Sequence, residues 1–242
     1  MEDLDGTLAP NRAPSARRPL LGMTILVVED SRYACEALRL MCLRSGARIR
    51  RADCLSSARR HLQVYRPSAV IVDHGLPDGS GLDLIAELNA ATPRVGIIMG
   101  LSGDGFAASA SVAAGADGFF EKPMVGLAAF QQALLDHLPS DRQPSGPRAL
   151  SDEVIEPDPV AFVDDMAHAA ALLEDCGEGP MMDYLAQFLG GVAHLVEDGP
   201  LAQAASDLAR RREAGGGGTR EAVARIAGLV QARLHQPAAQ FS

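Results

Sequence analysis

Four short, unbroken apolar runs, ILVV at 25–28, AVIV at 69–72, GIIMGL at 96–101 and GFF at 118–120, recur along the first half of the chain with room for helices between them. Continuous apolar strands alternating with helical segments predict a parallel sheet covered on both faces. Polar side chains follow each run: Glu29 and Asp30 after the first, Asp73 after the second, Ser102 after the third and Lys122 after the fourth. In a doubly wound sheet, ligands bind at the carboxyl ends of the strands, near the point where the winding reverses. All five side chains are therefore expected at one site.

The spacing predicts strands over 24–28, 48–52, 69–72, 95–101 and 118–120, and helices over 31–45, 55–64, 82–89, 106–114 and 127–138. Gly46 is placed to stop the first helix, Asp53 to cap the second, and Pro67 to close the turn after it. Five such units within residues 23–138 make a flavodoxin-like (βα)5 doubly wound parallel sheet the economical fold. Residues 1–22, rich in Pro, Arg and Ala without periodicity, read as a disordered leader, and Met23 is a candidate start.

The 242 residues are 47% hydrophobic, enough for packed cores, and hold no Trp and 4% aromatics, which argues against a base-stacking surface. The net charge of -9 is uneven: residues 22–138 hold 12 acidic and 11 basic groups, and residues 151–242 hold 15 and 6. Such a second half is a poor surface for a phosphate backbone, although the run Arg210, Arg211 and Arg212 is a small basic spot. Cys35, Cys42, Cys54 and Cys176 lack metal-site or disulfide-framework spacing and read as packing residues. No apolar run is long enough to cross a bilayer and no secretory h-region is present, so a cytoplasmic protein is expected.

ILVVED, VIVDHGLPDGSG with its Asp four residues before a Pro and eight before a Gly, LSG, and GADGFFEKP stand in one order and spacing. With these motifs the chain resembles the receiver domains of two-component response regulators over residues 23–138. The resemblance implies that Asp73 accepts a phosphoryl group from the phosphohistidine of a sensor histidine kinase or a phosphotransfer protein. Three carboxylates on one sheet edge need a cation, and a hard divalent ion with oxygen ligands supplies it. Mg2+ is expected on Glu29, Asp30 and Asp73, and the resemblance adds the backbone carbonyl of Gly75. It further implies that Lys122 and Ser102 contact the phosphate and that Ser102 and Phe119 form the switch. Singly, each of these residues has a plainer reading as a helix cap, a solvated lysine or a core aromatic. Their joint placement at successive strand ends favours a site. Asp53, Asp78, Asp104 and Asp117 match no position in the pattern and read as turn or cap residues.

Residues 139–157, within a stretch of five prolines from Pro139 to Pro159, read as a linker. Beyond it, residues 158–242 carry four amphipathic segments that predict an all-α four-helix bundle. Their inner faces are expected to hold Val160, Val163, Met166, Ala167 and Ala170; then Tyr184, Leu185, Phe188, Leu189, Val192 and Leu195; then Leu208; then Val223, Ile226, Val230 and Leu234. Residues 215–218 form a glycine loop. The stretch AQFLGGVAHLVEDGPLAQAASDLARR resembles a histidine-phosphotransfer domain, with Gly191, Ala193, Leu201, Ala204 and Leu208 in the family's small and apolar positions. Gln187 stands where that family has its phosphorylated histidine, and Gly190 where it has a lysine. Gln cannot carry a phosphoryl group, so the resemblance implies a module that keeps the fold and has lost the chemistry. His194 and His168 read as surface or boundary histidines. Gly190 and Gly191 together cost about 2 kcal/mol of helix propensity, which suggests that another helix approaches them closely.

The function expected is that of a response regulator, a signalling protein rather than an enzyme, whose bundle binds a protein target; a homodimer is possible, and neither nucleic acid nor membrane is an expected partner. The rivals are a phosphorelay intermediate with a phosphorylatable histidine in the bundle, and a transcriptional regulator with an atypical DNA-binding output.

Overall fold

The structure is a computed structural model that describes residues 13–104, 106–124, 126–144, 151–175, 179–215 and 218–236. Residues 1–12 of the expected leader, 145–150 of the linker, Cys176, the loop glycines 216 and 217, and residues 237–242 lie outside the described residues.

Five strands, β1 (Thr24–Val28), β2 (Arg48–Ala52), β3 (Ala69–Asp73), β4 (Ile97–Ser102) and β5 (Gly118–Glu121), form one parallel sheet in the order β2-β1-β3-β4-β5. The winding reverses between β1 and β3, whose registers pair Val28 with Val72 and carry Asp73 on to pair with Leu101 of β4. The central strands are buried almost throughout, as their unbroken apolar runs require. The edge strand β2, RIRRA, is largely exposed, and its arginines guard an otherwise open edge.

Because successive strand residues point to opposite faces, the sheet separates two cores. Ile25, Val27, Ile71 and Met99 pack with Leu38 and Met41 of α1 (Arg32–Ser45) and Phe130 and Leu134 of α5 (Leu127–Leu135). Leu26, Val28, Val70, Val72 and Ile98 pack with Leu55 and Ala58 of α2 (Leu55–Val64) and Leu84, Ile85 and Leu88 of α3 (Gly81–Ala90). Helix α4 (Ala107–Ala114) completes this second layer between α3 and β5. Ser31 caps α1 by accepting the Ala34 N–H at 3.0 Å, and Gly46 ends that helix at φ 86°, the left-handed conformation open to glycine.

Two local expectations are corrected. Asp53 does not cap α2; Asp78, from the loop after β3, accepts the N–H groups of Leu55 (2.7 Å) and Ser56 (2.9 Å) instead. Asp117 lies in the bend before β5, as read, and is also an ion-pair partner, 2.8 Å from Arg94, that accepts the Ile98 N–H. Strand β4 starts at Ile97 rather than 95, because the Val95 carbonyl accepts from the Arg94 guanidinium (3.0 Å). Asp104 behaves as read, accepting the Phe106 N–H at 2.9 Å.

The leader and linker are less free than their composition suggests. Leu20 is fully buried in the α1/α5 core, with its N–H on the Ser45 carbonyl at 2.9 Å. Within the linker, Val154 bridges to Gly126 and Ile155 is buried in the same core. In both cases one large aliphatic side chain overrides a Pro-rich background, since burying it is favourable by about 1.5–3 kcal/mol.

Helices α6 (Pro159–Asp175), α7 (Pro180–Leu195), α8 (Gly199–Glu213) and α9 (Thr219–Leu234) surround one apolar cluster, with α6 touching α7 and α9, and α8 touching the same two. The expected inner faces of α7, α8 and α9 hold for Leu185, Phe188, Leu208, Ile226 and Val230. For α6 the expected face holds at Met166 and Ala170 and is corrected elsewhere. Val160 is 57% exposed, and Phe162 and Ala169 face the core beside Met166. The helix is rolled so that Phe162 fills the centre and Asp165 reaches α1.

The helical unit is docked on the sheet domain through that roll. Tyr33 of α1 joins the helical core, edge-on to Phe162 at 6.3 Å between centroids. Asp165, 1% exposed, accepts from Arg32 N (2.7 Å), Tyr33 N (3.1 Å) and Ser31 Oγ (2.7 Å). Those two amides are among the first of α1, which have no partner inside their own helix.

Candidate functional site

The strand-end residues converge. Glu29 follows β1, Asp73 ends β3, Ser102 ends β4, and Lys122, just past β5, donates its N–H to the Ser102 carbonyl at 2.9 Å. Ligand oxygens of Glu29, Asp30 and Asp73 lie within 4.8 Å of one another. The Lys122 ammonium stands 2.7 Å from Oε2 of Glu29 and 2.7 Å from Oδ1 of Asp73. Three further oxygens are tied to backbone: Glu29 Oε1 accepts the Ser31 N–H (3.0 Å), Asp30 Oδ1 the same N–H (2.9 Å), and Asp73 Oδ2 the Gly75 N–H (2.9 Å).

Three carboxylates against one ammonium leave two negative charges in a site where Glu29 is fully buried and Asp73 6% exposed. Burial holds Glu29 well above the usual carboxylate range, with the charges of Asp73 and Asp30 adding to it and Lys122 opposing. Burial, then the Asp73 charge, raises Asp30 as well. Burial alone would lower Lys122, but the paired carboxylates outweigh it and hold the ammonium charged well above its ordinary range. A compact set of hard oxygens two charges short of neutrality fits a hard divalent cation such as Mg2+.

Ser102 is 8% exposed and lines the same cavity; its Oγ accepts the Asp104 N–H at 3.1 Å. Gly75 also lines it. Phe119 is set back from the carboxylates, half-buried and tilted against His74 at 5.9 Å between centroids. His74 was not singled out by sequence. Its Nε2 is 2.6 Å from Oγ of the buried Ser111, so it ties the loop after β3 to α4.

The far wall of this 570 Å³ cavity is the helical unit, including Gln187, Gly190, Gly191 and His194 of α7 and Ser206 of α8. Tyr184, expected in the bundle core, does pack there but also donates its hydroxyl to Oδ2 of Asp30 at 2.6 Å. A Cβ at Gly75 would stand 2.3 Å from Nε2 of Gln187, so that amide lies directly on the loop after Asp73. The idea that Gly190 and Gly191 admit a close helix is corrected: a Cβ at Gly190 would meet Ala205 at an ordinary 3.8 Å, and one at Gly191 would meet nothing within 4 Å. Their side toward the sheet domain is cavity. Asp165 and Tyr184 escaped sequence reasoning, although a carboxylate and a phenol inside apolar helix faces are a signal, because buried polar groups need partners.

The similarities to known proteins fall on the sheet domain. The response regulator receiver domain family matches residues 25–134. The KDP operon transcriptional regulatory protein KdpE of Escherichia coli is 30% identical over 99 residues, 41% of this chain and 44% of that protein. The virulence transcriptional regulatory protein PhoP of Salmonella typhimurium is 30% identical over 102 residues, 42% of this chain and 46% of that protein. The chain thus spans less than half the length of these curated relatives. Among solved structures, a putative response regulator from Chloroflexus aurantiacus is 26% identical, with a TM-score of 0.45 over 48% of this chain and 96% of that one. The receiver domain of the sensor histidine kinase PA1611 from Pseudomonas aeruginosa is 25% identical, with a TM-score of 0.43 over the same shares. With the five strand-end residues gathered at the carboxyl edge of the sheet, residues 25–134 form a response regulator receiver domain.

Proposed function

We propose that this chain is a response regulator phosphorylated on Asp73, with the helical unit as a non-catalytic output that binds protein. The observation that carries the reading is the Asp73 carboxylate held between Lys122 (2.7 Å) and the Gly75 N–H (2.9 Å) beside two further carboxylates. An oxygen of Asp73 attacks phosphorus of a phosphohistidine as the P–N bond breaks. The departing ring nitrogen keeps the electron pair, and the proton on the second ring nitrogen makes it a neutral leaving group. Mg2+, held by Glu29, Asp30, Asp73 and the Gly75 carbonyl, would neutralise charge on the transferring oxygens. Lys122 pairs with the new phosphate and Ser102 donates its hydroxyl to it. Drawing Ser102 inward frees space for Phe119 to turn, which alters the α4 face beside His74.

The output reading rests on the resemblance of 186–211 to a phosphotransfer domain with Gln187 in place of the histidine. In this reading the chain signals rather than catalyses, acts in the cytoplasm, and takes its phosphoryl group from a kinase or phosphotransfer protein. DNA binding is disfavoured because the basic spot is met by acids of its own unit: Arg212 is 2.7 Å from Asp183, and Arg210 pairs with Asp207. One observation favours a relay alternative. His194 lines the cavity that holds Asp73, and its Nδ1 is on the Gly190 carbonyl (2.7 Å), which leaves Nε2 as the nucleophilic nitrogen of that tautomer.

Phosphoramidate with Mg2+ tests both. Labelling on Asp73 that is lost in Asp73→Asn supports the main reading; acid-labile label on His194 supports the relay; absence of label refutes both.

A further inference from the structure

The receiver's acid pocket faces the helical unit across the cavity, and the contacts between them are specific. Asp165 satisfies two otherwise unpartnered amides of α1 and the Ser31 hydroxyl. Tyr184 bonds Asp30, and Gln187 lies on Gly75, two residues from the acceptor. Arg32 and Asp164 add an exposed ion pair at 3.1 Å. A protein donor must bring its own backbone to the mouth of this pocket, where α7 already sits. A small donor need not, because Gly190 and Gly191 leave the 570 Å³ cavity open in front of Asp73, and exposed His194 and Asp183 line its rim.

We propose that the helical unit is a cis-acting cap that occupies the place of a protein phosphodonor on Asp73, so that the docked chain admits small phosphodonors and excludes phosphohistidine proteins. The proposal rests on the reading of Asp73 as acceptor. It gives Gln187 a use: an uncharged side chain that cannot be phosphorylated stands at the acceptor loop and holds the position without reacting. It also assigns Asp165, on the α1 amides, and Tyr184, on Asp30, to the latch. Capping is an equilibrium, and a partner that binds the released α6 and α7 faces opens the receiver by mass action.

The test compares the full wild-type chain with Asp165→Ala, which leaves the Tyr184 hydroxyl on Asp30. Ser31 still caps α1 in the variant. The exposed variant Arg32→Asp, which sets like charges against Asp164 and Asp165, tests the same latch without touching a buried group. Each is charged with phosphoramidate and Mg2+, where transfer breaks the P–N bond and releases ammonia, and separately with the autophosphorylated histidine kinase cores of the source organism. The expected result is equal labelling of all forms by phosphoramidate, and labelling by at least one kinase at least tenfold faster in the unlatched variants. Equal kinase rates in wild type and variants, or no kinase labelling of the variants, would overturn the cap. Failure of phosphoramidate to label Asp73 in any form would instead sink the acceptor reading itself.

Discussion

Lys122 is the residue on which the acid pocket balances, since its ammonium bridges Glu29 and Asp73 at 2.7 Å each. Removing one partner of a buried ion pair typically costs about 3–5 kcal/mol, so Lys122→Ala is expected to lose stability of that order in metal-free urea titrations, and to recover part of it with Mg2+. Unchanged midpoints would show that the bridge does not bear on stability. Glu29 and Asp30, raised by burial, set the pH response. The folded state holds their protons more tightly than the unfolded chain, so unfolding releases protons and stability falls as pH rises above the ordinary carboxylate range. Thermal melts should show that decline without divalent ions and a smaller one with Mg2+; a rise with pH in metal-free buffer would contradict it. At this scale Glu29, Asp30, Asp73, Ser102 and Lys122 were legible, because each ends a strand of a parallel sheet and strand ends converge by topology alone. Asp165 was not legible: its partners are Ser31, Arg32 and Tyr33, more than 130 residues away, and no local pattern encodes that distance.

Elements were read well where one face is dry and poorly where two units share a helix. The periodicity of α7, α8 and α9 located their inner faces, but α6 serves both the helical core and the docking contact, and Phe162 with Asp165 displaced the face that Val160 suggested. The same cause hid the order of Leu20 and Ile155, single aliphatic anchors in stretches whose composition spoke of linkers. Leu20→Ala should cost roughly 2–5 kcal/mol in chemical denaturation of the full chain; a loss within error would mean that the segment before β1 does not pack. In α7, Gly191→Ala meets nothing within 4 Å and should stabilise the helix by about 1 kcal/mol. A destabilised Gly191→Ala chain would reveal a close neighbour that the structure does not show.

At the scale of the whole molecule, the charge division gains a physical meaning. The acidic second half carries the deficit, yet it places Tyr184 and Gln187, both uncharged, next to the carboxylates of the receiver. Asp165, the acid that it buries against the receiver, is answered by the amides and partial positive charge at the start of α1. No helix among the described residues is long and apolar enough to cross a membrane. The receiver could be read from motif order, whereas the docking could not, because it depends on how two independently patterned units meet.

That docking is open to amide hydrogen exchange resolved at Arg32, Tyr33 and Ala34 in the full chain. The N–H groups of Arg32 and Tyr33 bond Asp165 of the helical unit, and that of Ala34 bonds Ser31 within the receiver. Protection is expected at all three in the wild type, and loss at Arg32 and Tyr33 with Ala34 retained in Asp165→Ala. Arg32 and Tyr33 exchanging in the wild type as freely as in Asp165→Ala would show that the helical unit does not dock on the start of α1.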